Sequence, residues 1–358
     1  MKQKRYIAWS VLLAPAILAF SARGQVVRFQ PAKGTVLTKS IETNEELSLE
    51  DMSMVMNGQE LDPSMVGMEM TTTTQRRVVV TDEYASLDGG RTQRLRRTFD
   101  ELNFSTSTSM SNQMMGDMDS QVDGESELEG LTVVFEWDAD SEEYTVEFDE
   151  DSDGDEDLLE DLTQEIDLLG FLPEDEVAEG DSWELEPEIF RSILAPGGSL
   201  KIEPDESSVQ DMPMGSNRMP SPDKALGEFG GEATAEFVDV REVDGVRVAL
   251  IRIEFEISTA SDLTELMQEM MADAPLPDGM EIEMEVESFD MEIVYEGEGE
   301  LLWNLEGGHL HSFEISGEKT QTVDNSMSVS MAGQAMAMEQ SMTMAGTTTI
   351  KITTSVNS

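Results

Sequence analysis

The feature that most constrains this chain is a two-residue rhythm. In Val246–Ile257, residues Ala249, Ile251, Ile253, Phe255 and Ile257 fall on one side of an extended backbone, and Arg252, Glu254 and Glu256 fall on the other. Strand side chains alternate between faces, so the pattern specifies a half-buried strand with one dry and one wet face. Asp244-Gly245 supplies a hairpin turn and Phe237–Val243 its partner strand. The rhythm recurs in Glu281–Glu287, where Ile282, Met284 and Val286 alternate with acids. It then slips by one residue to Phe289, Met291 and Ile293, which predicts a bulge near Ser288.

Other hairpins follow the same logic. Val78–Val80 and Tyr84 lead through Asp88-Gly89-Gly90 to Arg91–Phe104, and Leu131–Trp137 pairs with Tyr144–Phe148 around the turn 138–143. Leu301–Leu305 and Leu310–Ile315 flank Gly307-Gly308. The last strands run through about 322–356, with turns expected near Gly333 and Gly346. Residues 111–128 are rich in Met, Asp and Ser and predict a loop. Helices are few. Leu158, Leu159, Leu162, Ile166 and Leu169 share one helical face over Asp157–Leu169. A second helix is expected after Asp262, with Leu263, Leu266, Met267, Met270 and Met271 on its apolar face. Residues 186–224 hold Pro, Gly and Ser and predict a long surface connection with a short helix at Pro187–Leu194.

A dry sheet face needs a cover. The expected fold is therefore mainly β (a β-rich α+β class): a curved antiparallel sheet or open barrel with two or three helices packed on one face. The expected organisation is a signal peptide at 1–24, an N-terminal β-meander at 25–148, an acidic loop, helix and Pro-rich connection at 149–227, and a C-terminal β-meander with one amphipathic helix at 228–358. Residues 25–358 are expected to form one composite domain.

The leader is inferred from Lys2, Lys4 and Arg5, an apolar run from Tyr6 to Phe20, and small residues at Ala22 and Gly24. That run falls short of the roughly 20 apolar residues of a membrane span, although an uncleaved N-terminal anchor is the alternative. No second apolar stretch follows, so no membrane span is expected after leader removal. Export to the periplasm or the extracellular space is the expected address. There is no cysteine, so the core must come from packing alone. Loss of the leader moves the formal charge from −54 to −58. Such a surface repels nucleic acid and anionic membranes, and suits cations, basic partners or saline solvent.

Phe171-Leu172-Pro173, followed by Val177-Ala178-Glu179-Gly180-Asp181-Ser182-Trp183, resembles a Leu-Pro … Gly-Asp-x-Trp element of a family of β-rich exported bacterial proteins without assigned activity. Gly297-Glu298-Gly299, Trp303 and Gly307-Gly308 resemble a later element of that family. The resemblance covers about a tenth of the chain and implies an extracytoplasmic β-sheet protein. The architecture is more loosely similar to half-open-barrel periplasmic lipoprotein carriers, from which this chain departs in its acidity and its acidic insert.

Four constellations could carry chemistry. Asp149–Glu160 satisfies a calcium-loop pattern, with Asp149, Asp151, Asp153, Asp155 and Glu160 as candidate metal ligands and Gly154 at the turn. Glu156 stands where a hydrophobic residue is usual, and 14 of the 24 residues 138–161 are acidic, so a solvated acidic linker is the competing reading. The chain has 26 methionines. Met52, Met54 and Met56 alternate, as do Met68 and Met70, Met336 and Met338, and Met342 and Met344. Such faces serve as core, as an adaptable apolar pocket, or as thioether ligands for Cu(I). His309 and His311, the two histidines, are expected on a solvated strand face, with a zinc or copper pair as the alternative. Arg76, Arg77, Arg91, Arg94, Arg96 and Arg97 on the 78–104 hairpin either neutralise neighbouring acids or form an anion site.

No thiol, nucleophile elbow, phosphate-cradling glycine loop or nicotinamide fingerprint is present. The expected function is therefore non-enzymatic: a binding or structural role in the cell envelope, with an apolar small molecule or an envelope component as partner. A calcium-binding extracellular protein is the first alternative. A carboxylate-dependent glycan hydrolase is the second.

Overall fold

A computed structural model describes residues 24–61, 68–112, 116–204, 222–272, 282–331 and 334–357. The expected leader up to residue 23, the turn at Gly333 and residues 205–221 of the Pro-rich connection lie outside the described residues. The fold is mainly β, with 68% strand against 9% helix, in one large open antiparallel sheet. Its strands are β1 (Val36–Met56), β2 (Gln59–Glu60), β3 (Met68–Asp88), β4 (Arg91–Asn112), β5 (Gly116–Ser126), β6 (Thr132–Asp138), β7 (Glu143–Phe148), β8 (Ser182–Glu184), β9 (Ile202–Pro204), β10 (Glu228–Val243), β11 (Val246–Asp262), β12 (Ile282–Asn304), β13 (His309–Met331) and β14 (Gln334–Asn357). Short helices α1 (Arg191–Leu194) and α2 (Pro222–Ala225) and the longer α3 (Thr264–Ala272) complete it.

Along the sheet the order is β7-β6-β4-β3-β1-β14-β13-β12-β11-β10-β8, with β5 on β4 and β9 on β5. The N- and C-terminal meanders are thus zipped into one sheet by β1 and β14, from Val36↔Asn357 to Met56↔Met338. The path starts at β7 and ends at β8, so the sheet stays open. The hairpin turns at Gly89-Gly90, 138–143, Asp244-Gly245 and Gly307-Gly308 form where their sequences specify them. The register of β12 on β13 shifts between Val286 and Ser288, the bulge that the apolar slip demands. A second shift between Leu49 and Asp51 does the same for β1. Each extra residue keeps the apolar side chains on the same face after the slip.

Six strands run 21 to 24 residues. At about 3.4 Å per residue they span roughly 70 Å, far beyond one packed layer. The inner face is accordingly divided. In one half it is covered by residues 150–204. Ile166, Leu168, Phe171, Phe190 and Ile193 of that segment are buried against Leu37, Val80, Phe99, Phe313, Leu301 and Ile251 of the sheet. Phe171 packs 5.3 Å from Phe190 and 5.5 Å from Phe313, ring centre to ring centre. In the other half β1, β3, β4, β5, β12, β13 and β14 continue beyond this cover. There α3 packs along β12, with Asp262 capping the Thr264 amide at 3.0 Å and Leu263 buried.

Four local expectations are corrected. Residues 157–169 do not form an α-helix. A 3-10 turn spans Glu156–Leu159, and Asp161 and Leu168 adopt positive φ. The reason is tertiary: Arg97 draws the Thr163 and Gln164 carbonyls onto its guanidinium at 3.1 and 3.0 Å, so those oxygens are taken from any helix ladder. Residues 187–200 are not surface connection: Phe190, Ile193, Ser199 and Leu200 are buried, although the short helix does form. Most of 111–128 is strand rather than loop, because β5 pairs with β4 from Phe104↔Gly124 to Asn112↔Gly116. Gly346 lies mid-strand in β14 rather than in a turn. A Cβ there would meet the Glu46 carbonyl at 1.9 Å, so the residue permits close strand approach.

Candidate ligand-binding face

Strand register decides what the inner face presents beyond the part that residues 150–204 cover. Beyond Ser48↔Thr71, the last pair of the β1–β3 ladder, it divides into two leaves: β12-β13-β14-β1-β2 and β3-β4-β5. On the first leaf Leu47 and Leu49, then Met52, Met54 and Met56 of β1 share a face with Met344, Met342, Met338 and Met336 of β14. Val323, Met327 and Val329 of β13 and Met291, Phe289 and Val286 of β12 continue it. On the second leaf Met68 and Met70 of β3, Met110 of β4 and Met118 of β5 do the same. The opposite face carries Ser53, Thr343, Ser341, Asp324, Ser326, Glu285 and Asp290 on one leaf, and Thr71, Ser107, Ser109 and Asp119 on the other.

Met thus lines the far end of the inner face on both leaves, where that face also carries Asn325 and Gln340 on the first leaf and Thr72, Thr74, Thr106, Thr108 and Ser120 on the second, while the opposite face is hydroxylated and acidic. Met291 and Met344, next to the cover, are 8% and 5% exposed. Met56, Met118 and Met336, far from it, reach 37%, 38% and 37%. The covered half is filled by contrast. The crevice among Phe190, Leu194, Phe255, Ile257, Tyr295, Ile315 and Ile350 has a volume of about 10 Å³, room for about one water. Just beyond it Lys319 meets Glu45 at 2.8 Å, and Thr348 donates to the same carboxylate at 3.2 Å. This largely buried ion pair marks the border between packed core and open apolar face.

The covered half holds a cluster of charges that sequence reasoning missed. Lys39 Nζ donates to Asp82 Oδ2 at 2.8 Å, to the Tyr84 hydroxyl at 2.7 Å and to Asp167 Oδ1 at 2.6 Å. Arg97 forks onto Asp82 at 2.7 and 2.9 Å, and Tyr84 donates to Asp167 at 2.7 Å. Lys39, Asp82, Tyr84 and Arg97 are fully buried and Asp167 is 1% exposed. Burial alone would push the Asp82 carboxyl up, but Arg97 and Lys39 outweigh it and hold it at about 2. Burial lowers Lys39, and Asp167 and Asp82 more than offset that, leaving it above the usual lysine range. Tyr84 is driven well above its ordinary range by burial and by the two carboxylates. Two cations facing two anions, all hydrogen-bonded and closed to solvent, form a clamp that docks residues 163–167 on the sheet. A signal for it exists in the sequence: Lys39 sits between Leu37 and Ile41, Asp82 between Val80 and Tyr84, and Arg97 between Leu95 and Phe99, each a charge at a core-facing position of a strand.

The sequence-predicted site residues lie elsewhere. Asp149 follows β7 and accepts from Arg96 at 2.9 Å, a hydrogen bond that lowers its pKa. Asp155 caps the 3-10 turn through the Asp157 amide at 3.1 Å, and Glu160 lies 3.7 Å from Lys201. Asp151 and Asp153 lie along the chain between them. Among the described residues no three His, Asp or Glu side chains converge as a metal-binding group. His309 is 4% exposed, which corrects the expected solvated position. Its Nδ1 lies 2.7 Å from the Leu310 carbonyl and its Nε2 3.2 Å from the Asn304 amide, so both ring nitrogens are occupied. The ladder shifts between Leu302 and Trp303, which leaves His311 as the extra residue, while His309 lies opposite Asn304. His309 and Asn304 wall a half-open cleft of about 720 Å³ beside Arg28, Gln30 and Trp303. Of the six arginines, Arg77 pairs with Glu42 and Glu101, Arg96 with Asp149, and Arg97 with Asp82. Arg91 stacks 4.0 Å from the Trp137 ring centre. Among the described residues no helix is long and apolar enough to cross a membrane. Comparison with protein-family models and with curated proteins gives no match.

Proposed function

We propose that the protein is an exported, non-enzymatic binding protein that holds an apolar ligand, such as a lipid acyl chain, against the methionine-rich inner face of its open half. The observation that carries this reading is the register, which gathers Met, Leu, Val and Phe side chains from seven strands onto the inner face of the open half, interrupted by Asn325 and Gln340 on one leaf and by Thr72, Thr74, Thr106 and Thr108 on the other. Large apolar faces left uncovered on a soluble fold mark binding sites. Methionine suits such a site, because its flexible, polarizable side chain adapts to differently shaped apolar partners. The border ion pair and the filled core beyond it limit how far a ligand can enter.

Uptake of a fluorescent fatty acid by delipidated protein tests the proposal. Saturable uptake is expected. Met327→Asp together with Met338→Asp, which places two charges on the inner face, abolishes it, whereas Ser328→Asp with Ser341→Asp on the outer face leaves it intact. Absence of uptake, or equal loss in both pairs, defeats the proposal.

A further inference from the structure

Two lateral rows on the inner face each place three thioethers side by side, the first flanked by Val286 of β12 and Gln59 of β2. Met56 of β1 lies directly opposite Met338 of β14, and Met338 directly opposite Met327 of β13. On the other leaf Met70 of β3 lies opposite Met110 of β4, and Met110 opposite Met118 of β5. Each row therefore takes three methionines from three adjacent strands at paired positions, with side chains on one face. Directly opposed Cβ atoms stand about 4.5–5.5 Å apart. The outer two strands of a row are about 10 Å apart at the usual strand spacing. Three rotatable bonds per side chain allow the outer sulfurs to lean over the central one.

Packing alone does not ask for methionine here. The covered core is made of Leu, Ile, Val and Phe, and Met291 and Met344 are the buried methionines among the described residues. Leu47, Leu49, Val323 and Val286 show that branched apolar residues also serve on the inner face. Among the described residues both rows lie instead at half-buried or exposed positions.

We propose that each row is a Cu(I) site with three thioether ligands. Thioether sulfur is neutral and soft. It is a poor donor to calcium or magnesium, and it selects Cu(I) among the available metals. The net charge of −54 raises the local concentration of any cation at the surface. A thioether carries no proton to lose on binding, so these sites keep their metal in mild acid, where imidazole ligands protonate and let go.

The test is an anaerobic competition on the delipidated full chain, with Cu(I) held by a chromogenic chelator. The protein is expected to withdraw two equivalents. M56L/M327L/M338L and M70L/M110L/M118L each withdraw one, and the combined variant none, with far-UV circular dichroism showing that all remain folded. If a triple variant fails to fold, Met338→Leu and Met110→Leu carry the same test on the central ligand of each row. Withdrawal is expected to be equal at about pH 7 and about pH 5, with sulfur as the sole near neighbour in X-ray absorption. No withdrawal by the parent protein overturns the proposal. So does stoichiometry unchanged in both triple variants, or loss of metal at about pH 5 with nitrogen or oxygen neighbours. Copper withdrawal and fatty-acid uptake are separate readouts, so failure of one leaves the other standing.

Discussion

Replacing Lys39 by Met tests whether the buried clamp holds the cover on the sheet. The substitution keeps length and apolar stem but removes one of two cations from a closed group of four charges. Asp82 retains its two bonds from Arg97, while Asp167 keeps the Tyr84 hydroxyl but loses its 2.6 Å ammonium partner. One uncompensated negative charge then sits where exposure is 1%. Breaking a buried pair in this way costs about 3–5 kcal/mol. With a urea dependence of about 3 kcal/mol per molar, the unfolding midpoint falls by about 1–1.7 M. Exposed pairs on the same sheet, such as Lys351–Glu314, are worth about 1 kcal/mol or less, so the two classes separate clearly. Lys39→Met with Asp167→Asn removes both charges and is expected to recover at least half of the loss. Hydrogen exchange is expected to rise first in residues 160–200. Because the clamp is closed to ions, the loss is the same at about 0.1 M and about 1 M salt. A loss under about 1 kcal/mol, or a double variant no more stable than the single one, would refute the reasoning.

Three further outcomes follow from the chain's ionisable groups. Asp82 is held at about 2 in the fold against 3.8 unfolded; a depressed carboxyl stabilises above its unfolded pKa, so about 2 kcal/mol present near pH 4 is lost as pH falls through 2, an acid limb that Asp82→Asn removes in urea melts. Glu165 is raised above its ordinary 4.5 by burial and by Asp167. A raised carboxyl stabilises the fold while protonated, and that contribution is lost as pH rises through the folded value, so Glu165→Gln raises the melting temperature at pH 7 and has no effect below about pH 4. The excess of acidic side chains should make thermal stability climb between 0 and 2 M sodium chloride, as the Debye length shrinks to about 3 Å at 1 M; a flat response contradicts the saline-solvent reading.

What the sequence made legible was local. Asp244-Gly245 between alternating strands and the apolar slip at Ser288 each specify geometry within a few residues, and both features form as expected. Helix periodicity at 157–169 failed because a residue 66 positions away, Arg97, claims the carbonyl of Thr163. The strand β5 was hidden because its inner positions include Met118, Ser120 and Gly124, too weakly apolar to advertise a dry face. The proposed binding face was legible only in part. Alternation showed that Met52, Met54 and Met56 share a side, but not that β14 and β13 bring Met338 and Met327 beside them, because pairing between distant strands leaves no local mark. The clamp was detectable in principle as charges at core parity in Leu37-x-Lys39-x-Ile41. Its partners, 43 and 128 residues away, were not.

The most direct test of the proposed binding face is photo-crosslinking with a diazirine-bearing fatty acid, followed by peptide mapping. The account predicts label on inner-face residues of the open half, at Met52–Met56, Met336–Met344, Met327 and Met70 or Met110. Label confined to outer-face residues such as Ser326 and Thr343, or to the cleft between Arg28 and His309, would contradict it.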